Sequence, residues 1–450
     1  MSLPTKIILS DLHLGAGYFN SANPLEDFRH DDRFYEFALD LRAESEATGR
    51  PMELIINGDM IEFLQVPAVP VSEYDPQAPY PEEAYRSTAE ADSVLRMDLV
   101  IAGHRPVFEG LGAFLSETPR RTVTIIKGNH DILLHWPGVQ ERIRQAVGAT
   151  GPKAPLLTFS ERFVCRDGVY IEHGNQYRDP LNRLDDFENP VDPRHPDRLR
   201  TPIGSRFVIE FYNHIEYQRW WVDAIKPIPA LIAYGMVLDP GFALKAVGVL
   251  LTAFPGMIFG PFAAGEREPS PLRAVREESL EELVRRYESD PAYRREFNDE
   301  LQKYLWTLGP EVPRKAWGRA AMLETGRRIS RSFSDGLVEE AQRIVRQQGV
   351  SLVVFGHTHA ARMDLLDGGV YANTGTWTWW RDFSQADLET WRQLVTNPEA
   401  FMTPHYLTYV RVEYGPDGRP QATLHDLSGE LALPKARPFR RRCRGCRFWS

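Results

Sequence analysis

The segment VTIIKGNHD, residues 123–131, passes from a short apolar run to a group of polar side chains at Gly128. Short runs rich in Ile and Val are typical of buried β-strands. The same transition occurs before Asp-Leu-His at 11–13, Gly-Asp at 58–59, a single His at 173 and Gly-His-Thr-His at 356–359. We therefore predict strands at residues 6–10, 54–57, 123–127, 169–172 and 352–355, each followed by polar side chains.

These polar side chains have the chemistry of a site for two metal ions. The carboxyl ends of neighbouring strands meet at one rim of a sheet, so the side chains that follow them are expected to share a pocket. Four imidazoles, two carboxylates and one amide suit Mn, Fe or Zn better than Ca or Mg, and we favour Mn. The predicted ligands are Asp11, His13, Asp59, Asn129, His173, His357 and His359.

The five groups, taken in order, resemble the motifs of the calcineurin-like metallophosphoesterase family. That family has D-x-H, G-D-x-x-[DE], G-N-H-[DE], a single His and then G-H-x-H, and the match extends to Glu62 at the end of the second motif. One such motif recurs easily by chance, but five in order at strand ends do not. The resemblance implies an α/β fold, the four-layer αββα sandwich of two mixed sheets, with an inserted α-helical cap.

The resemblance also implies a role for each matched residue. Asp11, His13 and His359 would hold the first metal, Asn129, His173 and His357 the second, and Asp59 would bridge the two. Such a pair supplies a metal-bound hydroxide that attacks phosphorus. His130 would be the general acid, because an imidazole titrates near neutral pH, and Asp131 would orient it. Glu62 either steadies a ligand or begins a helix.

The positions of the motifs divide the chain into a core and an insertion. Residues 1–176 and 334–434 are predicted to form the phosphoesterase core, and residues 177–333 a helical cap over the metals. Core helices are predicted at 31–47, 89–116, 139–147 and 334–348, cap helices at 205–224, 272–288, 291–308 and 315–332, and hairpin turns at 367–369 and 415–418. Residues 373–376 are predicted to be a loop near the metals, either donating amides to a phosphate or only turning the chain.

Two segments raise the question of a membrane. Residues 240–265 of the cap contain one charge, Lys245, and form a buried hairpin, an interfacial patch or an acyl-chain groove. A single crossing there would place His173 and His357 on opposite sides of the bilayer, which argues against a transmembrane span. The C-terminal segment 435–450 is basic, and is either a solvated tail or a contact with an anionic membrane.

Composition limits the compartment and the partners. The chain has 450 residues, of which 42% are hydrophobic and 26% charged, as is usual for a globular protein. The net charge of -9 argues against a nucleic-acid partner, and no protein partner is indicated. The cysteines are too few for a disulfide framework, and no export signal is recognised near Met1, so we expect a cytoplasmic protein with possible peripheral membrane contact. The cysteines are Cys165, Cys443 and Cys446.

The expected reaction is hydrolysis of a phosphodiester or pyrophosphate, possibly lipid-linked or nucleotide-linked. The D-L-H-L motif, the helical insertion and its apolar segment are similar to those of UDP-2,3-diacylglucosamine pyrophosphatases, which have a shorter insertion and an Arg in place of His130. The alternative is a nucleotide or cyclic-nucleotide phosphodiesterase, which His130 favours because an alkoxide leaving group needs an acid. A non-catalytic metal-binding scaffold at a membrane is the alternative outside enzymes.

Overall fold

The computed structural model describes residues 3–18, 23–226, 235, 238–253, 279–307, 319–383 and 386–438. Within these residues the chain has a mixed α/β structure with two large mixed sheets. Residues 254–265 of the predicted apolar segment and residues 439–450 of the basic tail, with Cys443 and Cys446, lie outside the described residues. None of the described helices is both long enough and apolar enough to cross a membrane.

The strands predicted to precede the ligands are confirmed, with ends that differ by at most three residues. In the numbering given in the next sentence, these strands are β1, β2, β4, β7 and β11. The described strands are β1 Thr5–Leu9, β2 Met52–Asn57, β3 Ser116–Glu117, β4 Arg120–Ile126, β5 Leu157–Ser160, β6 Phe163–Arg166, β7 Val169–Glu172, β8 Val191–Asp192, β9 His195–Leu199, β10 Ile225–Lys226, β11 Leu352–Phe355, β12 Arg362–Leu366, β13 Gly369–Asn373, β14 Arg381–Asp382, β15 Thr408–Tyr414, β16 Pro420–Asp426 and β17 Arg437–Pro438.

Each large sheet contains a parallel centre. The first sheet has the order β16-β15-β1-β2-β4-β3, with β5 also paired to β4, and β1, β2 and β4 are parallel. The second has the order β17-β12-β13-β11-β7-β6, with β13, β11 and β7 parallel. Both predicted hairpins are confirmed, as β12 with β13 and β15 with β16. Parallel strands end at the same edge, so the polar loops leave each sheet on one side.

The predicted core helices are present, but two joins differ, the helix predicted at 205–224 ends at Arg219, and the helices Pro240–Ala253 and Leu388–Thr396 were not predicted. Two helices meet at His104 where one was predicted, because Pro106 has no amide hydrogen to continue the first helix. The break predicted between residues 332 and 334 is wrong, since one helix without proline runs through both. The helices are Asp31–Thr48, Glu83–Arg86, Glu90–Gly103, Arg105–Phe114, Pro137–Ala146, Ile203–Phe207, Asn213–Arg219, Pro240–Ala253, Leu280–Ser289, Pro291–Thr307, Arg319–Gln348 and Leu388–Thr396, with a π-helical turn at Val208–Tyr212 and short 3-10 turns at Phe63–Gln65, Val71–Glu73, Ile132–His135, Gly151–Leu156 and Pro398–Phe401.

Apolar side chains from the two sheets form one cluster. Successive residues of a strand face opposite sides of the sheet. Ile8 of β1 accordingly packs in a cluster with Val169 of β7 and Leu352 of β11, whereas Ile7 packs on the other face in a cluster with Phe34 of the helix Asp31–Thr48. The two sheets therefore share an apolar face, and the loops at their ends are held close together.

The insertion has an apolar cluster of its own. Phe211, Leu244, Leu283 and Phe297 are buried in it, together with Trp391 from the helix Leu388–Thr396, which follows the last ligand pair in sequence. β10 of the insertion also pairs with β14. The insertion therefore packs against residues 381–394, which follow β13 in sequence. Its predicted limits, residues 177–333, stay a prediction.

Candidate metal centre

The predicted ligands converge at the carboxyl ends of the parallel strands. We call Asp11, His13, Asp59, Asn129, His173, His357 and His359 together the metal centre. His13 Nε2, after β1, lies 3.2 Å from His359 Nε2, after β11, although the two strands belong to different sheets. His173 Nε2, after β7, lies 2.9 Å from Asp59 Oδ2, after β2. The loops are also joined directly, since the His357 amide donates to Asp11 Oδ2 at 3.0 Å.

The ligand atoms fall into three overlapping groups. In each group the candidate donor atoms lie within 4.8 Å of one another. His13 and Asp59 each belong to two of the groups, so these two residues connect all three. The groups are Asp11 with His13 and His359, His13 with Asp59 and His130, and Asp59 with His173 and His357.

The backbone at the metal centre is strained. Left-handed φ is rare for residues other than glycine and costs about 1 to 3 kcal/mol each, so such residues persist where the surrounding structure holds them. Among the described residues other than glycine, only Asp167 and Arg178 share this conformation outside the centre. Inside it, φ is 55° at Asp11, 49° at His13, 49° at Asp59, 69° at His357 and 58° at His359.

Two motif glycines allow the loops to approach one another. A Cβ atom on Gly128 would lie 2.2 Å from Asp59 Oδ1, and one on Gly356 would lie 2.3 Å from Ser10 Oγ. Real Cβ atoms do not approach so closely, so a side chain at either position would force apart two loops that carry ligands. The glycines before Asn129 and His357 therefore serve the packing of the centre.

The two carboxylates of the centre are oriented by hydrogen bonds to one oxygen each. Asp11 Oδ2 accepts from Ser10 Oγ and from the His357 amide, while Asp11 Oδ1 lies 3.3 Å from His359 Nε2. Asp59 Oδ1 accepts from the His130 amide at 2.9 Å, which leaves Oδ2 directed at His173. Because one oxygen is fixed, the other has a defined direction toward the imidazoles.

Three imidazoles are oriented in the same way. His13 Nδ1 lies 2.7 Å from Glu62 Oε2, and His173 Nδ1 lies 2.9 Å from the Asn57 carbonyl oxygen, so Nε2 of each ring is the nitrogen turned to the centre. His357 Nε2 instead contacts Asp179 Oδ2 at 3.0 Å. Such contacts fix the tautomer of a metal-binding histidine.

His130 and Asp131 do not contact each other as the resemblance implied. Glu62 Oε2 lies 2.5 Å from His130 Nδ1, so Glu62 is the carboxylate that orients the imidazole. The oxygens of Asp131 accept instead from the amides of Gly128, at 2.5 Å, and Met60, at 2.8 Å. Asp131 therefore ties together the loops after β2 and β4, and the steadying role considered for Glu62 agrees with its contacts to two histidines.

The electrostatics of the site oppose the cost of burial. Burial alone would raise the pKa of Asp59, but the imidazoles of His173 and His130 hold it well below its usual range. Burial alone would lower the pKa of His173, but the carboxylates of Asp59 and Asp11 raise it to about 10. Protonated imidazoles thus keep the buried carboxylates ionised. Bound metal cations would supply this positive charge in place of the protons.

The residues fit a pair of divalent ions. Asn129 Oδ1 is buried after β4 and accepts no hydrogen bond within the described part of the chain. An amide oxygen without a partner in a protein interior is costly, and a metal ion is one way to satisfy it. Together with the grouped imidazoles and carboxylates, this oxygen completes a mixed nitrogen and oxygen donor set of the kind that Mn, Fe and Zn accept.

Several contacts of the site could not be expected from the sequence. Asp179 lies in a polar loop at the start of the insertion, and nothing in its neighbourhood marks it as a partner of His357. The predicted loop at 373–376 does lie at the centre, since Thr376 Oγ1 donates to the Asp11 carbonyl oxygen at 2.8 Å. The loop is held there by its side chains, whereas the amide donors considered for a phosphate stay a prediction.

A group of acidic residues beside Glu62 was also missed. Gln65 Nε2 donates to Glu216 Oε2 of the insertion at 2.6 Å. Burial, followed by the nearby charges of Asp223 and Asp27, raises the pKa of Glu216 well above its usual range. Glu216 occupies one position of a short helix, where a glutamate is normally solvated, so the sequence carries no signal for this contact.

No family model matches the chain, and no curated protein matches it either. The assignment of the centre therefore depends on the motifs, on the distances between their side chains and on the backbone conformation described above.

Proposed function

We propose that the chain is a two-metal phosphoesterase that hydrolyses a P–O bond, with the four-layer αββα fold of the calcineurin-like metallophosphoesterases. The observation that carries this proposal is the left-handed backbone at five of the seven predicted ligands. Strain of this kind is maintained where function requires a fixed geometry. The helices on the outer faces and the shared apolar face of the two sheets support the proposed layering.

The proposed division of the ligands between the ions follows the motifs. Asp59 has one oxygen directed at His173 and is grouped with His13 as well as with His173 and His357, which supports its role as the shared ligand. When bound, the two ions would neutralise the phosphoryl oxygens and supply the attacking nucleophile. Mn is favoured because the set mixes imidazoles with oxygen ligands and contains no thiolate.

His130 is proposed as the general acid. Its Nδ1 is engaged by Glu62 Oε2, so Nε2 is the nitrogen that can carry a proton to the leaving oxygen. Glu62 thus acts as a positioning residue that also contacts His13, and it links the acid to one metal ligand. Asp131 contributes by holding the loop after β4 against the loop after β2.

The substrate is proposed to be a phosphodiester or a pyrophosphate, with the insertion selecting the group attached to it. The contact between His130 and Glu62 favours an ester with an alkoxide leaving group, as in a nucleotide or cyclic-nucleotide phosphodiesterase, because such a leaving group needs a proton. A lipid-linked pyrophosphate and a contact with the membrane stay as predictions from the apolar segment of the insertion.

A reloading experiment tests the proposal. Metal-stripped protein is reloaded with Mn, Fe, Co or Zn and assayed with phosphomonoesters, phosphodiesters and nucleotide-linked pyrophosphates. We expect hydrolysis that depends on the added metal and is greatest with a diester or pyrophosphate. Binding of two metals without turnover of any substrate would instead favour the scaffold.

The matched variants for this experiment are Asp59→Asn and Asp167→Asn. Both residues have left-handed backbones, which asparagine tolerates. Asp167 is not part of the centre, and its Oδ2 lies 2.8 Å from Lys6 Nζ. We expect Asp59→Asn to lower kcat by about a hundredfold or more and to reduce the bound metal, because it removes a shared anionic ligand. Two bound metals and activity within a few-fold of the parent would contradict the assignment of Asp59.

A further inference from the structure

A cleft opens beside the proposed general acid. Its enclosed space is small, about 30 Å³, and Asn129 and His130 form part of its wall. Leu64 and Ile132 of the core and Ile209 of the insertion give it an apolar lining. Because His130 would protonate the leaving oxygen, the group that enters a cleft next to it is the leaving group of the substrate.

Arg96 gives this apolar cleft a positive charge. It lies on the helix Glu90–Gly103, lines the cleft and is only 1% exposed. In the part of the chain that is described, its guanidinium donates one hydrogen bond, from Nη2 to the Ala84 carbonyl oxygen at 3.0 Å, and Nε has no partner. No carboxylate of the described residues forms an ion pair with it. Burial lowers the pKa of Arg96 to about 10, which still leaves the group charged at neutral pH.

Other arginines nearby or equally buried have their charge balanced. Arg86, also on the wall of the cleft, contacts Glu82 and lies 3.1 Å from Glu210. Arg121, which is 3% exposed, lies 3.2 Å from Glu46 and also donates to the Phe114 carbonyl oxygen at 2.6 Å. A buried charge without an ion-pair partner is costly in a folded protein, and at Arg96 the nearby charge of Asp92, on the same helix, only partly opposes the effect of burial on the pKa. Arg96 is therefore the guanidinium whose positive charge an anionic ligand in the cleft would balance.

We propose that the cleft is a subsite for a leaving group that carries a second anion, held by Arg96. This proposal depends on the proposed phosphoesterase function, and it narrows the substrate to a phosphodiester whose leaving alcohol bears a carboxylate or a phosphate. Because the enclosed space is small, we expect the chain between the ester oxygen and that anion to be short. Arginine suits either anion, because its fork of donors matches carboxylate and phosphate oxygens alike.

The test uses phosphodiesters whose leaving alcohols end in a carboxylate, a phosphate or a neutral carboxamide, in chains of graded length. We expect the parent enzyme, loaded with metal, to hydrolyse the best anionic diester with a kcat/KM at least about tenfold above that of its carboxamide partner, mainly through KM. The carboxylate and phosphate series distinguish the two anions. Equal kcat/KM for the anionic and neutral members at every length would overturn the proposal.

Variants of Arg96 test whether its guanidinium causes the preference for the anionic diester. Arg96→Gln should reduce the preference for the anionic diester to about one, Arg96→Lys should keep part of it, and Arg121→Gln should keep all of it, since Arg121 lies outside the cleft. A folded Arg96→Gln protein that retains the parent preference would overturn the proposal. If Arg96→Gln does not fold, the lysine variant and the parent measurements decide the matter.

A binding measurement separates this proposal from the proposed function. The free anionic alcohols should raise the melting temperature of the metal-free parent, whereas the free carboxamide alcohols should not. This shift does not depend on catalysis, so it is expected even if no phosphoester is hydrolysed. If the anionic alcohols cause no shift in melting temperature at concentrations above the KM of the corresponding anionic diesters, the cleft holds no anion.

Discussion

His104 offers a direct test of how the loop that carries Asp11 and His13 is held. The imidazole is completely buried, with Nε2 at 3.2 Å from Glu26 Oε2 and Nδ1 at 3.0 Å from Asp31 Oδ1. Glu26 in turn accepts from the Gly17 amide at 2.7 Å and the Gly15 amide at 3.3 Å, just after His13. His104 therefore supplies the positive charge that keeps a loop-binding carboxylate buried.

The size of the effect follows from the pKa. Burial would lower the pKa of His104, but Glu26 and Asp31 raise it from 6.5 to about 10. Each pH unit of difference corresponds to about 1.4 kcal/mol, so the charged imidazole contributes at most about 5 kcal/mol to the free energy of unfolding. Because the folded pKa is the higher one, this contribution is complete below about pH 6.5 and is lost as the pH rises through about 10.

The assay is urea unfolding of the parent, His104→Gln and the control His214→Gln between pH 6 and pH 10. At pH 6 we expect His104→Gln to lower the free energy of unfolding by about 3 to 5 kcal/mol, because a buried carboxylate loses its partner. The difference from the parent should shrink toward pH 10. His214 faces Glu82 at a half-exposed position and should change stability by less than about 1 kcal/mol. A loss at His104 that is small, or that is the same at every pH, would refute the reasoning.

Two further predictions concern the metal centre. His130→Gln should retain its metals but lose about 10² to 10⁴ in rate, with the larger loss on alkyl than on aryl esters, because aryl leaving groups need less protonation; equal losses on both would remove the acid from the mechanism. Asp179→Asn should weaken metal binding about 10-fold to 100-fold, because His357 loses the carboxylate at 3.0 Å that orients it, and unchanged affinity in a metal titration of the folded variant would contradict this role.

The sequence was sufficient for the features that depend on local pattern. Short apolar runs predicted β1, β2, β4, β7 and β11, because strands buried on both faces need apolar residues at every position. The same logic predicted where the ligands lie, since side chains after parallel strands share an edge. The π-helical turn at Val208–Tyr212 has a weaker local signal and was not predicted, whereas the join at His104 was missed although Pro106 marks it.

The sequence did not reveal contacts that depend on how distant segments meet. The resemblance implied that Asp131 would orient His130, whereas the oxygens of Asp131 accept from the amides of Gly128 and Met60. Glu62 reaches His130 from the loop after β2, because β2 pairs with β4, the strand that precedes His130. Asp179 contacts His357 far away in sequence, and no periodicity or composition marks it.

The strain at the metal centre indicates why these distant contacts are needed. Five residues with left-handed backbones cost together about 5 to 15 kcal/mol, which is comparable with the whole stability of an ordinary domain. Single contacts cannot offset such a cost. It is met by bonds that cross between loops, such as the amides held by Asp131 and the Asp11 oxygen held by the His357 amide. The bond from the His357 amide to Asp11 joins a loop of the second sheet to a loop of the first, so the geometry of Asp11 depends on segments from both ends of the core.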